Sequence, residues 1–192
     1  MLETVMRRSA VLGLAAVMAL SVATGAVAAS ERLLRLDAVL SPGGEPIYDA
    51  MAIGIWRMEG GEPVARVAER HAAPAEIALE PGRYRVEAVY GDARRVTDIS
   101  VPAKASPRET INLNAGHVRL RLLQRAGGPS IDKPVDWEIR HYRRGKAEGP
   151  RVKAVTGERP SMWLGAGWYE VRARHAGRRV HHVVEVAAGR KY

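Results

Sequence analysis

The sequence predicts an all-β chain: two tandem small β-sandwich modules following an N-terminal export signal. Three observations carry this reading. A cassette is written twice, as Leu79-Glu80-Pro81-Gly82-Arg83-Tyr84-Arg85-Val86-Glu87-Ala88 and as Leu164-Gly165-Ala166-Gly167-Trp168-Tyr169-Glu170-Val171-Arg172-Ala173, 85 positions apart. Each copy sets a glycine turn ahead of alternating Tyr, Val and Ala, the pattern of a turn feeding a β-hairpin. Outside the N-terminal segment no window sustains a 3.6-residue apolar period, whereas short period-two runs recur between Gly and Pro turns.

The first 29 residues read as a Sec-type signal peptide. Arg7 and Arg8 precede an uncharged run from Ser9 to Ser30 that closes on Ala26-Val27-Ala28, so cleavage is expected after Ala28 or Ala29. A retained membrane anchor is the rival, since such a run just spans a bilayer. Gly13, Thr24 and Gly25 dilute its hydrophobicity, and the Ala-x-Ala ending favours removal. Met6 and Ser9-Ala10-Val11 fit a twin-arginine signal poorly. The chain has no cysteine, hence no disulfide and no lipid-modified cysteine, and the mature protein is expected to be soluble. It also lacks Phe and favours Arg over Lys, the mark of a GC-rich bacterial genome. The expected address is periplasmic or secreted.

The first module is expected over residues 30–115 and the second over 116–192. Leu34, Leu36 and Ala38 alternate on an opening strand, and Val118, Leu120 and Leu122 repeat the pattern. A turn follows, Gly43-Gly44-Glu45-Pro46-Ile47 in the first half and Gly127-Gly128-Pro129-Ser130-Ile131 in the second, at a shift of 84 positions. One loop insertion reconciles that shift with the cassette's. Next come Met51, Ile53 and Ile55, matched by Val135, Trp137 and Ile139, each facing inward at period two. The boundary falls at Asn114-Ala115-Gly116, after a proline-bearing stretch from Val101 to Pro107 and a closing strand Thr110-Ile111-Asn112-Leu113. Modules of this size fold on one modest core with little surplus stability. In the second half Val186 matches Val101, and Tyr192 stands where Pro107 would be. The closing strand thus has no counterpart in the sequence, and an open sheet edge is expected there. Such an edge recruits a strand from a partner or from a second copy, unless Arg190 and Lys191 blunt it.

A Gly-x-Pro-Ile turn before an apolar strand, then Pro-Gly-x-Tyr-x-Val-x-Ala, resembles the carboxypeptidase-regulatory-like, transthyretin-type β-sandwich repeats of exported bacterial proteins. Gly44 to Ile47 and Pro81 to Ala88 carry the resemblance in the first module, and Gly128 to Ile131 and Gly167 to Ala173 in the second. It implies an Ig-like or transthyretin-like sandwich serving as a spacer, adhesion unit or ligand platform, without catalysis.

Charge is unequally shared. Residues 30–115 carry a net charge of −2 and residues 116–192 a net charge of +10. If Leu120, Trp137, Ile139, Tyr169, Val171 and Ala173 point inward, then Arg119, Arg121, Arg140, Arg172 and Arg174 point outward. The loop Arg143-Arg144-Gly145-Lys146 and the turn Arg178-Arg179 add to this field. These five arginines are the candidate contacts for an envelope protein or anionic polymer. A solvated surface with no dedicated ligand is the plainer reading, and nucleic acid is disfavoured by the compartment.

His141, His175 and His182 fall on the inward phase of three strands, which makes them candidate zinc or copper ligands without a supporting ligand spacing. Trp137 reads as core, while Trp163 and Trp168 flank the cassette turn, where exposed rings suit a sugar face. No nucleophile, carboxylate pair or His-acid cluster stands at a motif spacing, so no enzyme and no cofactor are expected. The sequence therefore predicts a binding or assembly module of the cell envelope. Its alternatives are a structural spacer and a periplasmic metal-binding protein.

Overall fold

The computed structural model describes residues 30–145 and 148–192; the expected signal peptide lies outside them. Among the described residues every regular element is a strand: β1 (Arg32–Val39), β2 (Ala50–Glu59), β3 (Glu62–Ala72), β4 (Ala75–Leu79), β5 (Gly82–Tyr90), β6 (Ala93–Val101), β7 (Arg108–Asn112), β8 (Ala115–Arg119), β9 (Val135–His141), β10 (Arg151–Gly157), β11 (Ser161–Gly165), β12 (Gly167–His175) and β13 (Arg178–Val186). A three-stranded sheet, β4-β1-β7, faces a four-stranded one, β3-β2-β5-β6. The pair β11-β8 likewise faces β10-β9-β12-β13.

Alternation builds both cores. Leu34, Leu36, Ile77 and Ile111 from one sheet meet Ile53, Ile55, Tyr84 and Val86 from the other. A second cluster gathers Val118, Met162 and Leu164 against Trp137, Ile139, Tyr169 and Val171. The turns repeat as well. The Gly44 N–H donates to the Ser41 carbonyl and the Gly128 N–H to that of Arg125, with Gly43 and Gly127 at φ of +68° and +69°. Only glycine takes that conformation without strain.

The duplicated cassette has one mechanical role. The Tyr84 hydroxyl donates to the Glu80 carbonyl at 2.8 Å, and the Tyr169 hydroxyl to the Gly165 carbonyl at 2.7 Å. Each ring thereby straps the end of one strand to the start of the next, across the gap between the two sheets. Burial pushes both hydroxyls' pKa up, so they stay protonated donors. Tyr84→Phe and Tyr169→Phe should each cost about 1 kcal/mol, and the two losses should add because the sites lie in separate cores. Denaturant titration of the single and double variants checks both points.

The modules meet on a built seam. β7 runs into β8 through Asn114, whose carbonyl accepts from the Ala166 N–H at 2.6 Å. The Trp163 ring, half-buried, packs against Tyr90 at 5.1 Å and His117 at 4.7 Å. It thus closes a seam rather than presenting a free sugar-stacking face. Lys153 Nζ adds an ion pair to Asp92 at 2.6 Å.

The opening strand of the second module repeats the hydrogen-bond register of the first. The Arg35 N–H donates to the Pro107 carbonyl before β7 pairs in parallel with β1, and the Arg119 N–H donates to the Tyr192 carbonyl in the same geometry. Among the described residues, no strand flanks Leu120 to Leu122 on that side, and both leucines are half-buried where Leu36 and Ala38 are fully buried.

Candidate functional site

The outward face of β10-β9-β12-β13 is a shallow groove of about 660 Å³. Its residues form rows across the sheet, because antiparallel partners share a face. One row reads Thr156, Asp136, Arg174, Arg179; the next reads Ala154, Glu138, Arg172, His181. A third runs Arg151, Arg140, Glu170, Val183, and a fourth Tyr142, Trp168, Glu185, in which the Trp168 carbonyl accepts from the Tyr142 N–H at 2.8 Å. Trp168 is 51% exposed and Tyr142 39%.

Arg140, Arg172 and Arg174 are brought together here, but not as a bare basic face. Arg172 holds Glu170 at 2.9 Å and Glu148 at 2.7 Å, Arg140 holds Glu138 at 2.8 Å, and Arg174 holds Asp136 at 3.0 Å. The carboxylates alternate outward on the same strands as the arginines. Arg119 and Arg121 lie elsewhere, on and just beyond β8 in the other sheet, both exposed. The cations of the groove that pair with no carboxylate among the described residues are Arg151 and Arg179, at diagonally opposite corners.

Ion pairing sets the titration. The hydrogen bond from Arg172, with Arg140 nearby, holds the Glu148 carboxyl below its ordinary value of 4.5. Hydrogen bonds from Thr156 and then Arg174 hold Asp136 below 3.8. A depressed carboxyl contributes stability that is complete above its unfolded pKa and is lost as pH falls through the folded one. Melting temperature should therefore fall as pH drops below about 4.5, and Glu148→Gln should flatten that slope. Both groups are exposed, so added salt should reduce the effect.

The first module carries the same face, closed. Gly54 and Trp56 stand where the second module has Glu138 and Arg140. The Trp56 indole lies flat over Gly54, where a Cβ would run into it, and Arg66 stacks on the ring at 5.3 Å. Arg85 pairs with Asp98 at 2.8 Å and Arg94 with Glu87, leaving a cleft of about 350 Å³.

His141, His175 and His182 do not converge. They face the inward side as expected, but opposite Tyr169, Arg178 and Val171 along the length of β12, and His141 and His182 are exposed on opposite sides of that strand. Among the described residues no group of three His, Cys, Asp or Glu side chains is placed to hold a metal ion. His175 instead lies 3.1 Å from the Pro134 carbonyl through Nδ1. Trp137 is buried, as its phase predicts, and donates from Nε1 to the Gly157 carbonyl at 2.9 Å.

Residues 117–192 match the Rhizobiales growth-associated tandem repeat domain. The matched stretch is nearly the whole second module and contains the groove. No curated protein matches the chain. Among solved structures, the Bacillus anthracis TIE protein is 14% identical with a TM-score of 0.34, and the match covers 84% of this chain and 32% of that one. A streptococcal ancillary pilin is 13% identical with a TM-score of 0.35, covering 81% and 59%. An adhesin from Bacteroides ovatus is 10% identical with a TM-score of 0.33, covering 81% and 82%. The chain thus spans about a third of the first of these structures and somewhat over half of the second.

Proposed function

We propose that the chain is a non-catalytic, exported binding or assembly module of the bacterial cell envelope, and that its second module meets an anionic or strand-donating partner. The observation that carries this reading is the contrast between the two copies of one sheet face. In the first module Trp56 and Arg66 fill it; in the second it stands open, with Arg151 and Arg179 lacking carboxylate partners among the described residues. The match of the second module to a tandem repeat domain agrees with a chain built of repeated modules. Labelled mature protein titrated onto envelope fragments separates a binding module from a spacer. Saturable binding that weakens steeply with ionic strength is expected; a spacer shows no saturable partner.

The strand-donating form of the reading rests on the other sheet. In the first module β7 docks with Arg108 against the buried Asp37 of β1, at 2.7 Å. Arg121 stands where Asp37 does, so the charge at this position is reversed. A segment laid parallel to Arg119–Leu123 would carry a carboxylate opposite Arg121 and apolar side chains over Leu120 and Leu122, whether it comes from more of the same polypeptide, a second copy or a partner. Amide exchange of Leu120 to Leu123 with and without envelope extract tests this form; unchanged exchange and a monodisperse monomer would count against it.

A further inference from the structure

Resting on the reading above, we propose that the open groove of the second module binds a sparsely charged anionic glycan, of the uronic-acid type, rather than a dense polyanion. Its floor is already neutralised. Asp136, Glu138 and Glu170 are each matched by a guanidinium in the same sheet. Nucleic acid or polyphosphate laid there would set its closely spaced charges against those carboxylates, which costs free energy wherever the like charges are not separated by water. A neutral sugar, in turn, would leave Arg151 and Arg179 without a counter-charge.

Paired guanidiniums and carboxylates fixed on a rigid sheet present donors and acceptors side by side, which suits the vicinal hydroxyls of a pyranose. The volume of about 660 Å³ lies in the range of small-molecule and oligosaccharide sites. The face is three strand spacings wide, about 14 Å, and the corner arginines also stand two rows apart along it, about 14 Å more, so the diagonal between them is about 20 Å, a span for an extended oligosaccharide of about four sugars. Trp168 and Tyr142 extend the face by one row and offer exposed, rigid rings to the apolar side of a sugar. In the first module the chain's own Trp56, at the position of Arg140, lies over this face, so a ligand is expected only on the second.

The test uses the full mature chain and calorimetric titration with tetragalacturonate, maltotetraose and polyphosphate. Tetragalacturonate is expected to bind saturably and more tightly than either of the others. Arg151→Gln with Arg179→Gln should weaken the uronate about tenfold while leaving maltotetraose unchanged, as expected for the loss of charge-assisted contacts worth about 1.4 kcal/mol in sum. Trp168→Ala should weaken both sugars. These side chains are outside the core and its ion pairs, and an unchanged melting temperature verifies that each variant is folded. No saturable uronate binding, tighter binding of polyphosphate, or binding indifferent to both sets of substitutions would overturn the proposal. Salt-sensitive envelope binding that persists without uronate binding would overturn this inference alone and leave the wider reading standing.

Discussion

Trp137→Ala should lower the melting transition of the second module by more than about 12 °C while leaving that of the first nearly in place. Trp137 is 5% exposed, faces the centre of the second core and donates its indole N–H to the Gly157 carbonyl at 2.9 Å. Truncating a buried aromatic costs about 3–5 kcal/mol, and here an unpaired carbonyl on the edge strand β10 is left as well. A module of this size has about 4–11 kcal/mol of stability in all. The loss consequently consumes a large part of it, and at about 4–8 °C per kcal/mol the second transition should fall by more than about 12 °C. The first core contains no atom of Trp137 and is built around Tyr84, Ile53 and Leu34. Differential scanning calorimetry should show one transition displaced and the other nearly in place. Equal displacement of both would mean that the modules fold as one unit.

Trp163→Ala is the second large effect, and it should appear as lost coupling rather than lost fold. The ring lies against Tyr90 of the first module and His117 of the second, and its Cβ and Cδ1 sit where a Cβ on Gly91 would crowd them, at 3.3 and 3.2 Å. Partial burial scales the truncation cost down to about 2–3 kcal/mol. That cost falls on a seam otherwise held by the Lys153–Asp92 pair and a few backbone hydrogen bonds. Small-angle scattering should report a broader distribution of module separations, and the two thermal transitions should move apart. An unchanged scattering profile would show that the backbone connection through Asn114 holds the modules by itself.

Much of this architecture is legible in the residues. The cassette and its tyrosines, the Gly43 and Gly127 turns, and the inward rows of β2, β5, β9 and β12 all announce themselves at period two, because one face of each strand is buried and the other wet. β3 does not, since Glu62–Ala72 is exposed along nearly its whole length and has no buried face to impose alternation. β10, the corresponding edge of the second module, is less exposed, with Val152 and Val155 resting partly buried on the core and no residue fully buried. The seam is also hidden, because the partners of Trp163 come from the far end of β5 and from β8, and only the folded chain joins them.

The candidate site was half legible. Phase placed Arg140, Arg172 and Arg174 outward, where they are, yet the same phase places Asp136, Glu138 and Glu170 beside them. That signal is in the sequence: each acid alternates with a core residue as the arginines do. What phase cannot supply is which cations remain unmatched after pairing. Arg151 and Arg179 emerge only once the strand register is known.

The most direct measurement compares two faces of one folded chain. Envelope binding should be measured at low and moderate ionic strength for the parent, for Arg151→Gln with Arg179→Gln in the second module, and for Arg66→Gln with Arg94→Gln, the matching positions, in the first. Loss of the salt-sensitive binding in the second-module variant alone is expected. Equal loss in both, or no loss in either, would contradict the assignment of function to the open face of the second module.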